Sequence, residues 1–370
     1  MTMTSPAASQ HLISDLQSRG FRLEGVAADI HSRRGGAGPS DHAAVVVDGR
    51  PVMVPVHTSS AHNSPYLASV PNADGQATIR RDGVTIAKVE FARKPRFYRL
   101  QTLDGVPYSH IATLHGTDVL ATTVLQQCIR YQSRTKSCQF CSIGQSLAAG
   151  RTVAHKSPEQ LAEVARAAVL LDGVRHMVMT TGTPPTADRG AKVMCESAEA
   201  IRAAVDLPLQ AQFEPPEDFA WFRRVREAGV DSVGLHLEIV TPALRTRLMP
   251  GKATVSLARY DEAFAAAVET FGRGQVSTYI LAGLGDTRDA ILETCARLVN
   301  MGVYPFVVPF VPISGTPLED HPAPDSTFMD ELLRPLAGLI RGAGLSGAGM
   351  KAGCGKCGAC SALASYEARA

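Results

Sequence analysis

The chain is short of net charge, of long apolar runs and of any amino-terminal sorting pattern, and each lack removes a class of function. Its 37 Lys and Arg nearly balance 35 Asp and Glu, for a formal charge of +2. That balance leaves no basic footprint for nucleic acid or for an anionic membrane surface. Gly, Pro or a charged residue interrupts every apolar run before membrane-spanning length, so no membrane partner is expected. Residues 1–10 have neither a basic start nor an apolar stretch, so no secretory leader is expected and the expected compartment is the cytoplasm. What is present is an ordinary globular composition, 45% hydrophobic and 19% charged over 370 residues. That length suits one large domain with appendages.

Cysteine is the exception to this plainness. The eight cysteines fall into two tight groups plus Cys195 and Cys295. Grouped thiols in a chain without an export signal read as metal ligands rather than disulfides. Cys128, Cys138 and Cys141 are spaced C-x9-C-x2-C, directly after a strand-like run at 122–125. The x2 pair can grip a metal centre from one tight turn, and the first thiol closes a nine-residue loop over it. Three thiolates without a local fourth suit a [4Fe–4S] cluster with one iron open. A structural zinc would fill all four positions, so an odd zinc loop or three unrelated core thiols is the competing reading. Cys354, Cys357 and Cys360 read C-x2-C-x2-C, like the start of a bacterial ferredoxin run without its final Cys-Pro. They imply a second iron–sulfur cluster whose further ligand comes from elsewhere or is lacking, with zinc as the alternative. Cys195 and Cys295 fall in helical patterns and read as core thiols.

A helix is expected over 9–19, followed at 33–39 by a flexible Arg- and Gly-rich loop that fits no phosphate-binding pattern and reads as a surface turn. Residues 43–120 are β-like, punctuated by Asp48-Gly49, Asp82-Gly83 and Asp104-Gly105, which favour tight hairpins. A small, mainly antiparallel sheet packed on the main domain follows. Its His57, His62, His110 and His115 are irregularly spaced and read as surface or hydrogen-bonded structural histidines. From Ser157 the pattern alternates, with strands over 174–180, 207–213, 232–239, 276–282 and 303–310 and a helix after each. With the strand before Cys128 these make six βα units, hence a parallel sheet with right-handed crossovers. The expected fold is α/β, a partial (β/α)6 barrel of TIM type, with a doubly wound open sheet as the alternative. The expected division is a β-rich subdomain at 1–115, the (β/α)6 core at 116–325, and a final helix with the Cys-rich tail at 326–370.

Chemistry in a parallel barrel collects at the carboxyl ends of the strands. There stand Phe140 in the Cys loop, Thr180 to Pro185, Gln212 with Glu214, His236 with Glu238, Gly283-Leu284-Gly285-Asp286, and the Pro-punctuated run Pro309 to Pro317. Residues two apart share a strand face. Carboxylates at Glu214 and Glu238 would take ribose hydroxyls or a cationic group, or else form ion pairs at the rim. Arg245 and Arg247 would hold a carboxylate or lie solvated.

The three-thiol loop and the order of these segments over about 116–320 resemble the radical S-adenosylmethionine (SAM) superfamily. Its usual thiol spacing is C-x3-C-x2-C, and some members have a nine-residue first gap as here. The resemblance implies a [4Fe–4S] cluster on Cys128, Cys138 and Cys141, whose open iron chelates SAM and whose reduced form cleaves it to a 5′-deoxyadenosyl radical. It implies SAM contacts at Phe140, at Thr181, Gly182 and Thr183, at His236 and Glu238, and at Gly283 and Gly285. The last two look like the Gly-Leu-Gly-Glu segment of the biotin synthase and lipoyl synthase branch. The whole chain resembles a radical SAM subgroup encoded beside nitrilases, which implies a small nitrogen-containing substrate and an external electron donor such as flavodoxin or ferredoxin. The second cluster would bind substrate, pass an electron or give up sulfur. A non-catalytic iron–sulfur binding or carrier protein on a degenerate barrel is the alternative from another class.

Anaerobic reconstitution should yield about eight irons per chain, because each three-Cys set should hold a four-iron cluster. Zinc in the tail after anaerobic purification would remove the second cluster from this reading.

Overall fold

The computed structural model describes residues 6–25, 32–33 and 41–368. Apart from Arg33, the basic loop expected at 33–39 lies outside them. Helix Pro6–Arg19 opens the fold, somewhat longer than the 9–19 periodicity. It is followed by β1 (Arg22–Leu23), β2 (Ser32–Arg33), β3 (His42–Val47), β4 (Arg50–Pro55), β5 (Tyr66–Ala68), β6 (Gln76–Arg81) and β7 (Val84–Phe91). These form one sheet in the order β1-β5-β6-β7-β3-β2, with β4 also on β3. Every pairing is antiparallel except β1 with β5. Asp48-Gly49 and Asp82-Gly83 make the β3–β4 and β6–β7 turns, with positive φ at all four residues. That is the doubly left-handed geometry whose twist matches a hairpin. Asp104-Gly105 differs: no strands flank it beyond the single bridge Gln101–Pro107, and Thr102 closes its loop on the Val106 backbone.

The second sheet runs β8 (Thr113–His115), β9 (Val119–Thr123), β10 (His176–Thr180), β11 (Leu209–Gln212), β12 (Ser232–Gly234), β13 (Val276–Ala282) and β14 (Val303–Pro309), each strand beside the next. Strands β9 to β14 are parallel. Helices follow them at Pro158–Asp172, Ala191–Ala204, Ala220–Glu227, Leu257–Phe271, Arg288–Met301 and Ser326–Gly342. The fold is a partial (β/α)6 barrel, as the alternation predicts. Local signals start its helices: Ser157 and Gln160 form a capping box around Pro158, and Ser256, Thr287 and Asp325 cap later ones. β8 pairs antiparallel with β9, so the barrel sheet takes in residues before 116.

The fourth barrel strand departs from its expected span of 232–239. Its regular ladder stops at Gly234 and resumes only at a single bridge, Glu238 with Ile280. Side chains replace the missing ladder bonds. Thr278 Oγ1 accepts the Leu237 N–H at 2.9 Å, and His236 Nδ1 accepts the Tyr279 N–H at 3.1 Å. Arg245 donates to the carbonyls of Leu237 and Ile239 at 2.7 and 3.1 Å from a buried position over the Tyr260 ring. It is neither solvated nor a carboxylate holder, but a brace for irregular backbone; Arg247 is exposed. The buried Asp286 carboxylate accepts the Val240 and Thr241 N–H groups, both at 2.9 Å. Glu238 is thereby held at φ +58°, a left-handed conformation rare for a long side chain.

The tail turns back beneath the barrel. Ser232 Oγ donates to Ala352 O at 2.8 Å, and the Gly353 N–H donates to His176 Nδ1 at 3.3 Å, both at amino ends of barrel strands. Ser361 Oγ donates to Val307 O at 2.6 Å. The amino-terminal unit grips the other side, with the Met53 N–H and the Gln17 side-chain amide both on Ala359 O, at 2.8 and 3.0 Å. The tail is the floor of the barrel. Among the described residues, no helix is long and apolar enough to cross a membrane.

Candidate active site

The cysteine loop is braced by the turn after β10. Ile129 N donates to Thr183 O at 2.9 Å, and Gly182 N donates to Leu125 O at 2.9 Å, so backbone bonds flank Cys128 on both sides. A Cβ on Gly182 would lie 2.1 Å from the Gln127 carbonyl oxygen. Glycine is required there by close backbone approach. On the far side, Gln139 N donates to Leu248 O and Gly251 N to Lys136 O, and Cys141 N donates to Cys138 O to close the tight turn.

Arg130 reaches inward from the same loop. Its guanidinium grips Glu214 with two bonds of 2.7 Å, and Glu214 also accepts the Thr183 hydroxyl at 2.9 Å. Burial pushes the Glu214 carboxyl up, but Arg130, Lys252 and Thr183 outweigh it and hold the group below the usual carboxylate range. Glu214 is therefore an ionised anchor of the loop. Glu238 is paired too, with Lys252 Nζ 2.5 Å from its carboxylate. Burial alone would lower the Lys252 pKa; Glu238 chiefly, with Tyr260 and Glu214, raises it, so the ammonium stays charged. Both expected carboxylates are in ion pairs, inside the wall rather than at the rim.

Cys128, Cys138 and Cys141 surround one cavity of about 180 Å³, with Phe140, Thr181, Gly182, Thr183, His236, Glu238 and Lys252 in its lining. A larger cavity of about 340 Å³ shares Phe140, Cys141, Thr181, Gln212, His236 and Glu238 and extends to Tyr279, Cys354 and Cys360. The two groups of thiols thus face a common chamber. His236 is pushed down to about 3 by burial and by Lys252. It is neutral, and since its Nδ1 accepts from Tyr279, its proton sits on Nε2. It therefore sets an uncharged donor in the chamber wall.

The donor set of the first cavity fits an iron–sulfur cluster. Burial pushes the Cys141 thiol up to about 12 and raises Cys138 well above the ordinary thiol value. Such thiols ionise when a positive centre takes them up, which is how metal binding couples to deprotonation. Among the described residues, no three His, Cys, Asp or Glu side chains converge closely enough to share one ion. A cubane cluster needs its thiolates at separate irons, and these three surround a cavity.

Gly283 and Gly285 line neither cavity. A Cβ on Gly283 would meet Pro324 at 2.7 Å, and one on Gly285 would meet Leu244 at 3.3 Å; φ is +105° and +109°. Packing and backbone conformation both call for glycine at these two positions. His115, expected to be a surface or a hydrogen-bonded structural histidine, is the second: it is buried with its Nε2 3.3 Å from Cys360 Sγ. Nothing local signals this, because the partners are 245 residues apart. Lys252 was also missed, since its sequence neighbours carry no motif. Cys295 is buried in the core and Cys195 lies in helix Ala191–Ala204; neither is in the lining of these two cavities.

Residues 135–298 match the family model described as the radical SAM superfamily, a span that takes in Cys138 and Cys141 and begins after Cys128. The matched span, under half of the chain, is similar to a domain of that superfamily, which is one of enzymes. A curated protein similar to this chain is a bacteriochlorophyllide c C-7(1)-hydroxylase of Chlorobaculum limnaeum, 29% identical over 224 residues. The match covers 55% of this chain and 55% of that protein, so the chain spans about half the length of this relative. Among solved structures, a methylornithine synthase is 19% identical, with TM-score 0.42 over 53% of this chain and 54% of its own. A radical SAM methyltransferase from Sphaerobacter thermophilus is 14% identical, with TM-score 0.45 over 76% of this chain and 75% of its own.

Gly182→Ala should force the Cys128 loop away and lose about half of the reconstituted iron, measured by iron analysis beside an unchanged tail signal. Glu238→Ala should lower stability in denaturant titration by about 3–5 kcal/mol, because it leaves the Lys252 ammonium buried without its partner. Adding Lys252→Met should restore most of that loss; no recovery would mean that the ion pair is not what Glu238 supports.

Proposed function

We propose that this chain is a radical SAM enzyme acting on a small nitrogen-containing metabolite held between two iron–sulfur centres. The supporting observation is the chamber of about 340 Å³ lined at once by Cys141, Cys354 and Cys360. In this reading Cys128, Cys138 and Cys141 hold the SAM-binding [4Fe–4S] cluster, and Cys354, Cys357 and Cys360 hold the second. When bound, the first cluster and SAM supply a 5′-deoxyadenosyl radical that abstracts hydrogen from the substrate. The protein's share is to bind, orient and exclude water.

Phe140, Thr181, Gly182 and Thr183 border the thiol cavity and offer backbone and hydroxyl groups to SAM. Lys252, kept cationic, offers a charge to the SAM carboxylate, and the Glu238 carboxylate offers lone pairs to ribose hydroxyls. His236 offers its Nε2–H to the substrate as a neutral donor. Leu281, Val308, Phe310 and Ile313 make the facing wall apolar, which keeps water from the reacting atoms. The nitrogen-containing substrate class rests on the likeness to the subgroup encoded beside nitrilases. Electrons come from an external donor such as flavodoxin or ferredoxin.

Replacing Cys128, Cys138 and Cys141 together should remove about half of the iron and all 5′-deoxyadenosine formation under dithionite. Replacing Cys354, Cys357 and Cys360 should remove the other half and leave SAM cleavage in place. If the first variant still makes 5′-deoxyadenosine, the SAM-binding centre is misassigned. If the native chain makes none, a non-catalytic iron–sulfur protein becomes the better reading.

A further inference from the structure

The tail thiols sit inside a shell of hydrogen-bonding side chains. Cys360 Sγ lies 3.3 Å from Nε2 of His115. Tyr279 lines the same chamber as Cys354 and Cys360, and burial first, then the Cys360 sulfur, push its phenol well up. Gln212 Nε2 lies 3.2 Å from Cys354 Sγ. A thiolate bound to metal carries no proton and can only accept, so His115 and Gln212 act as donors once the centre is loaded.

His115 is delivered by β8, the antiparallel edge strand that stands outside the βα repeat. The next residue, Gly116, has φ +61° and presses on the tail: a Cβ there would lie 3.5 Å from Cys357 Sγ. From behind, Met53 and Gln17 of the amino-terminal unit pin Ala359 O, between Cys357 and Cys360. Two sheets therefore hold the sulfur and its donors in register.

We propose that His115 is a positioning residue of the tail iron–sulfur centre, donating to the Cys360 thiolate and, with Tyr279, raising that centre's reduction potential. The proposal rests on reading the tail as an iron–sulfur centre. A donor dipole aimed at a ligating sulfur stabilises the form that carries the extra electron. Hydrogen bonds to the sulfurs are among the terms that set cluster potentials. The 3.3 Å separation argues for a donor over a fourth ligand. A nitrogen bound to its own iron in a cubane would stand well beyond hydrogen-bond reach of another iron's thiolate.

The test is an EPR-monitored redox titration with iron analysis on the anaerobically reconstituted full chain. It compares the native protein with His115→Ala, His115→Gln and Tyr279→Phe. A parallel set lacking Cys128, Cys138 and Cys141 isolates the tail signal. Full iron is expected in every His115 and Tyr279 variant. The tail signal should titrate at a more negative potential in His115→Ala and Tyr279→Phe, and near the native value in His115→Gln, which keeps an N–H donor. An unchanged potential in His115→Ala with full iron overturns the proposal. Loss of tail iron from His115→Ala overturns it as well, whether His115→Cys restores the iron, as for a ligand, or does not, as for a packing residue. A native chain with only about four irons, or with zinc in the tail, fails earlier and sinks the tail-centre reading itself.

Discussion

The two-pronged bond between Arg130 and Glu214 ties the long cysteine loop to the barrel wall, and the position of Cys128 depends on it. A nine-residue excursion between ligands carries conformational freedom that a shorter loop lacks. The structure removes that freedom by anchoring the loop at its charged residue, at the backbone beside Cys128, and at the Gly251 turn. Isolated buried charges are costly, so each cation that enters this wall meets a carboxylate: Arg130 meets Glu214 and Lys252 meets Glu238. The arrangement also leaves Glu214 ionised and Lys252 charged, so the pocket wall is polarised.

Strain is concentrated beside this wall. Glu238 is in the left-handed region, and the surrounding strand gives up ladder bonds to Thr278, His236, Arg245 and Asp286. Conformations of that kind persist only where neighbours over-determine them, and they gather at functional sites. Here the irregularity brings His236 and Glu238 to one chamber although the strand between them is interrupted.

The amino-terminal sheet acquires a role from its contacts. It and helix Pro6–Arg19 hold the tail in place as the barrel floor through Ala359 and through Gln10, which donates to Ser365 O at 2.8 Å. Tyr304 and Gly347 secure the short terminal helix Leu363–Glu367 through Glu367. The tail thiols are thus clamped between two sheets, and the unit most distant in the chain from them helps to close the chamber.

The six βα units, the two hairpins with paired positive φ and the two three-thiol sets were legible in the amino-acid order. Each is a local property: hydrophobic period, turn chemistry, or ligand spacing along a short segment. Which carboxylates were already paired was not legible, because Glu214 meets Arg130 across 84 residues. Gly283 and Gly285 announced a need for unusual backbone, but only packing revealed that Pro324 and Leu244 lie against them. The common chamber of Cys141, Cys354 and Cys360, and the approach of His115 to the tail, were decided by tertiary structure alone. Contacts between chain segments hundreds of residues apart leave no periodicity in either segment, since each follows only its own helix or strand.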